Sequence, residues 1–199
     1  MSRQTEAMDK ALSQITDALG FKICDFEFSR PGIQEGFVEL LDLRANDFNR
    51  GKFVWVQTFI HHIGVIELHN RLAVEKFSET FSFIGIADVD PLFSNDYGLS
   101  FTKVSEIPAV LNEIERLFNN KFLGFYKEYE DLERILDYYN KNHISLERRF
   151  YILPLLYALT GRPEKGIEVM EPLLRFGLVP DGNCRHYYQN YCDHIKQYL

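Results

Sequence analysis

The feature that most constrains this chain is a change of rhythm near residue 104. Before it, apolar residues come in short alternating runs broken by Gly, Asn and Asp. After it, they recur every three to four residues almost to the last position. Alternation of period two is the mark of half-buried strands, and a period of three to four marks amphipathic helices. A strand-rich stretch followed by a helix-rich one predicts an α+β fold: an N-terminal helix and an antiparallel or mixed sheet of about five strands, then a helical C-terminal half. The expected organisation is an α+β domain over 1–141 and a helical extension over 142–199, packed on it or continuous with it.

The pattern resolves into particular elements. Met8, Leu12, Ile15 and Leu19 share one face of a predicted helix over 4–19, which Gly20 stops. In 21–30, Cys24, Phe26 and Phe28 alternate with Asp25 and Glu27, which predicts one half-buried strand. Pro31-Gly32 turns the chain into a second strand over 36–44, and 45–51 has loop chemistry. The segment from Lys52 is rich in Val, Ile, Phe and Trp, and predicts a central strand ending near Gly64. A short helix over 67–76, a strand over 80–87, a loop over 88–98 and a strand over 99–104 complete the first half.

Ser105 is placed to cap a helix whose first turn holds Pro108, with Ile107, Val110, Leu111, Ile114, Leu117 and Phe118 as its apolar face. Further helices are predicted over 131–140 and 145–160. Pro154 bends the second of these or marks its true start, and Gly161 ends it. Pro163 opens a helix to about Phe176 with Pro172 inside it. Asp181 is the expected cap of a last helix, along which Cys184, Tyr187, Tyr188, Tyr191 and Ile195 form an apolar stripe.

Charge and composition narrow the function classes. The net charge is −7, of which −5 falls in residues 1–103 with 10 basic and 15 acidic side chains. No basic stripe exists, so nucleic acid is not an expected partner. A protein partner of basic character fits better, since complementary charge speeds encounter. Three cysteines, Cys24, Cys184 and Cys192, are too few for a disulfide scaffold. The first twenty residues spread their charges and lack a signal-peptide core, and no apolar run reaches membrane-spanning length. A cytoplasmic protein with no membrane association is expected.

Chemistry-bearing clusters weigh against catalysis. Cys184-x-His186 and Cys192-x-His194 carry zinc-type ligands, but residues two apart on one helix point to opposite sides. Adjacent His61 and His62 face opposite sides of a strand, so only one can enter a given site, with His69 and Glu67 as its nearest helpers. Asp88, Asp90 and Asp96 suggest a calcium loop. The pattern breaks at Leu92, Phe93 and Leu99, where a ligand, a glycine and a closing glutamate are needed. No glycine-rich phosphate loop, nucleophile elbow or HExxH occurs. No catalytic residue, cofactor or metal ligand is assigned, although acids paired from distant positions remain open.

Two stretches carry a resemblance. Gly20-Phe21-Lys22, the aromatic strands, then Val104, Ile107, Leu111, Ile114, Phe125-Tyr126, Tyr129 and Asp131-Leu132 follow an order that resembles an uncharacterised bacterial α+β domain family, akin to toxin-neutralising immunity proteins. Phe150, Leu153, Tyr157, Gly161, Gly166, Met170 and Leu173 fall near the spacing of a tetratricopeptide-like helical hairpin, with Pro154 and Gly166 departing from it. The resemblance implies a non-catalytic binding protein, in its narrower form an immunity-type inhibitor of a bacterial toxin. The contact surface expected for it is Asp88, Asp90, Asp96, Tyr97 and Trp55, although Trp55 also fits the core of the most apolar strand. Two alternatives stand beside it. One is a helical-repeat adaptor binding a peptide through 144–199 in a groove near Tyr157 and Met170. The other is a hydrolase or metalloenzyme using His61 or His62.

Overall fold

Among the described residues, six antiparallel strands form one sheet: β1 (Lys22–Cys24), β2 (Glu27–Pro31), β3 (Phe37–Phe48), β4 (Gly51–His62), β5 (Ile84–Gly85) and β6 (Gly98–Phe101). The strands β1 to β5 lie side by side in sequence order. Strand β6 also pairs β4, at Lys52 to Trp55, while β5 pairs it at Phe59 and Ile60. The computed structural model describes residues 3–24, 27–48, 51–73, 84–93, 97–178 and 183–195. The α+β reading holds, with helices α1 (Arg3–Ala18), α2 (Ile63–Leu72), α3 (Ile86–Val89), α4 (Ile107–Leu117), α5 (Leu123–Tyr129), α6 (Leu132–Lys141), α7 (Leu146–Tyr151), α8 (Leu153–Leu159), α9 (Pro163–Arg175) and α10 (Cys184–Ile195). Among the described residues, no helix is long and apolar enough to cross a membrane.

The chain divides into two units, Met1–Ile60 with Ile84–Glu128 and His61–Phe83 with Tyr129–Leu199. The helical unit therefore takes in α2 and α6 as well as the stretch after residue 142.

In the first unit, α1 buries Thr5, Met8, Leu12 and Thr16, with Ile15 half-buried beside them. The predicted single strand over 21–30 is a hairpin instead: Cys24 pairs Glu27 and Lys22 pairs Ser29. Alternation alone cannot distinguish one strand from two that fold back in register. Strand β3 runs four residues past its expected end, through Ala45–Phe48, because pairing with β4 outweighs the turn preference of Asn and Asp. In β4, Val54, Val56, Thr58 and Ile60 are all buried on one face. Against that face stands Tyr126, whose hydroxyl bonds the Thr58 hydroxyl, while Thr58 Oγ1 donates to the Leu40 carbonyl at 2.7 Å.

Arg30 is the other fixture of this core. Its guanidinium lies 4.6 Å from the Phe21 ring centroid and 4.9 Å from that of Phe118, donates to the Leu19 carbonyl at 2.7 Å and pairs with buried Glu39. Between α4 and α5 a π turn, Phe118–Phe122, keeps Phe118 and Phe122 buried as the helix goes on to Phe125 and Tyr126. Ser105 does not cap α4. It lies in a 3-10 turn that precedes α4, and the Glu106 carboxylate reaches back to fasten the start of that turn, accepting from the Thr102 and Lys103 backbone N–H groups at 2.6 and 3.2 Å.

The helical unit follows its capping signals closely. Asp131 Oδ1 accepts from the Glu133 and Arg134 N–H groups at the start of α6. Pro154 marks a true start: the helix over 145–160 breaks at Ile152, and Pro154 occupies the first turn of α8, where its missing N–H is harmless. Pro163 opens α9, and Pro172 stands inside it. The expected cap Asp181 lies outside the described residues. In α10 Tyr187 and Tyr191 are buried, while Cys184 and Tyr188 are half-buried. The predicted helix over 67–76 starts earlier, at Ile63, and ends at Leu72. Of the strand expected over 80–87, only Ile84–Gly85 is strand, with helix from Ile86 and 80–83 outside the described residues.

Candidate binding cleft

The helical unit contains an open cleft of about 510 Å³, within the range that accommodates small organic ligands. One wall is a single stripe of α2: Gly64, Glu67, Leu68 and Arg71, at spacings of three and four. The opposite stripe of that helix, Val65, Ile66, His69 and Leu72, is buried, so amphipathic spacing aims these four residues at the opening. Ala158 and Leu159 at the end of α8, Gly161, and Pro163 and Glu164 at the start of α9 line the other side, together with His194 of α10. Gly161 has φ +74°, a left-handed conformation that ends α8 and swings the chain into α9.

Side-chain bonds from α10 hold this frame. Asn190 donates to the Leu72 carbonyl at the end of α2, at 2.7 Å. The Tyr191 hydroxyl reaches the carbonyls of Pro154 at 2.7 Å and Pro163 at 3.1 Å, and Tyr187 donates to the Tyr151 carbonyl at 3.0 Å. Burial pushes both tyrosine hydroxyls above their usual range, with the nearby Cys192 and Glu164 adding to the effect at Tyr191; both stay protonated donors. Gly166 is needed here: a Cβ on it would lie 2.1 Å from the Tyr191 hydroxyl oxygen. This residue departs from the repeat-like spacing because a tyrosine occupies the space.

His62 opens α2, its Nδ1 accepting from the Gly64 N–H at 3.1 Å. Burial lowers its pKa, which keeps the imidazole an acceptor. Buried His61 is driven down to about 4 by desolvation and by the adjacent His62, and its Nδ1 has no hydrogen-bond partner among the described residues. His69 packs against the rings of Tyr151 and Tyr187, with centroids 6.1 and 5.5 Å away. His62 caps and His69 packs, and among the described residues no group of three or more His, Cys, Asp and Glu is placed to hold a metal ion.

The acidic surface expected in the first unit is largely committed to local structure. Asp88 accepts from the Gly85 N–H at 2.8 Å, and Asp90 accepts from Leu92 N–H at 3.0 Å and pairs with Lys121 at 2.9 Å. The segment expected as loop thus holds the end of α3 and a 3-10 turn over Pro91–Phe93, fastened by these bonds. Asp96 lies outside the described residues. Tyr97 is half-buried against Phe93, with ring centroids 5.0 Å apart, and Trp55 is half-buried beside Phe53.

The groove anticipated near Tyr157 and Met170 is not the open feature. Met170 is fully buried, and half-buried Tyr157 donates to Asn140 Oδ1 at 2.9 Å. The sequence reading missed the cleft because its walls come from residues far apart in the chain. Glu67 and His194 figured only in candidate metal sets, and Arg71 and Glu164 carried no motif. Its described lining offers two carboxylates, a guanidinium and an imidazole beside apolar surface. No protein-family model, no curated protein and no solved structure matches the chain.

Proposed function

We propose that this chain is a non-catalytic binding protein whose helical unit holds a short peptide-like ligand in the cleft walled by α2, α8, α9 and α10. The single observation behind this reading is the cleft itself, framed by cross-helix tyrosine and asparagine bonds and lined by charged groups over Leu68, Ala158, Leu159 and Pro163. A preorganised concave site of this kind loses less on ordering when a ligand enters.

The narrower role of an immunity-type inhibitor docking a basic toxin through Asp88, Asp90, Asp96, Tyr97 and Trp55 has less support. Of its carboxylates, those of Asp88 and Asp90 already serve the local turns. Co-expression with a candidate toxin is its test: rescue that disappears in an Asp90→Asn, Tyr97→Ala variant restores it.

The cleft reading is tested by filling the cleft. Saturation-transfer NMR on the full chain with a mixture of soluble di- and tripeptides is expected to show binding that vanishes in Ala158→Trp. Binding persists in Lys127→Ala, outside the cleft, and a denaturation curve checks that the Trp variant is folded. Peptide signals indifferent to Ala158→Trp overturn the proposal.

A further inference from the structure

From the placement of charge along α2 we infer that the ligand is a zwitterion of dipeptide size, with a free ammonium and a free carboxylate on an apolar body. This rests on the cleft reading above and specifies its ligand. Glu67 and Arg71 stand four residues apart on the wall of α2, hence about 6 Å along the helix axis. Two extended residues span at most about 7 Å, so a dipeptide's ends match that separation. Glu164, at the start of α9, adds a second carboxylate from a different wall.

The apolar remainder, Leu68, Ala158, Leu159 and Pro163, suits aliphatic side chains. Glu67 and Arg71 are both exposed, and any contact between side chains at this spacing on a helix is weak, so a ligand bearing both charges readily competes with it. A ligand with one charge leaves a member of the set unmatched, and an internal peptide segment offers neither terminus. The ammonium belongs with Glu67 and Glu164 and the carboxylate with Arg71, where a bidentate contact is available.

Calorimetry on the full chain with four probes decides it: L-leucyl-L-leucine, its N-acetyl form, its C-terminal amide and the doubly capped dipeptide. The free dipeptide is expected to bind at least 10-fold more tightly than either singly capped form. In Arg71→Gln the penalty for C-terminal amidation is expected to disappear while the penalty for N-acetylation stays. A Glu67→Gln, Glu164→Gln variant is expected to do the reverse. Capped and free dipeptides of equal affinity overturn the inference and leave the cleft reading intact. Binding by none of the four overturns both.

Discussion

Arg30 shows how much one residue can organise. Its planar guanidinium is stacked by Phe21 and Phe118 while its N–H groups serve Glu39 and the Leu19 carbonyl. Lysine keeps the charge but not the plane or the fork. Arg30→Lys is expected to cost about 2–4 kcal/mol in urea unfolding, because Glu39, 1% exposed, loses its best partner in the interior. Gly166→Ala places a methyl against the Tyr191 hydroxyl and near the Pro154 backbone, and is expected to cost about 1–3 kcal/mol by overpacking. Combining it with Tyr191→Phe is expected to cost less than the two single changes together, since both act on one contact. The two histidines that end β4 set a pH dependence. Both imidazoles are harder to protonate in the fold than in the unfolded chain, so their contribution is complete above about pH 6.5. It is lost as pH falls toward about 4, the value for His61. The loss at His61 is on the order of 2–3 kcal/mol, and His61→Leu is expected to flatten the stability profile across that window.

At the scale of elements, capping and proline chemistry were legible where a local bond decides the outcome. Pro154, Gly161 and Pro163 each mark the boundary their chemistry demands. Asp131→Ala is expected to cost about 1 kcal/mol, read by denaturation, with faster hydrogen exchange confined to the first turn of α6. Two of the misreadings share one cause, pairing with a neighbouring strand. The segment over 21–30 alternates as one strand and folds as two, because β2 finds β3 at Phe28–Leu41 and Arg30–Glu39. Residues 45–48 look like a turn and extend β3. Ser105 has the cap chemistry but falls inside a 3-10 turn that Glu106 fastens by bonding the Thr102 and Lys103 N–H groups, and α4 starts without a side-chain cap.

For the molecule as a whole, the helical unit is assembled from two stretches of chain, and its cleft needs both. A ligand that binds only this folded arrangement stabilises it by about 2.7 kcal/mol at 100 times its dissociation constant. Native-state hydrogen exchange is expected to show that protection in α2, α8, α9 and α10. Slowing confined to other helices counts against the cleft as the site.

The sequence by itself determined the α+β class, the helix boundaries set by proline and glycine, and the excess of acidic charge before residue 104. Those properties are local, written in periodicity, φ preference and composition. Tertiary structure alone decided that α2 belongs with helices more than eighty residues away, that Glu67, Arg71, Glu164 and His194 share one opening, and that Asp88 and Asp90 serve turns. The reason is physical: which stripe of a helix is covered depends on what packs against it, and that information resides in no single segment.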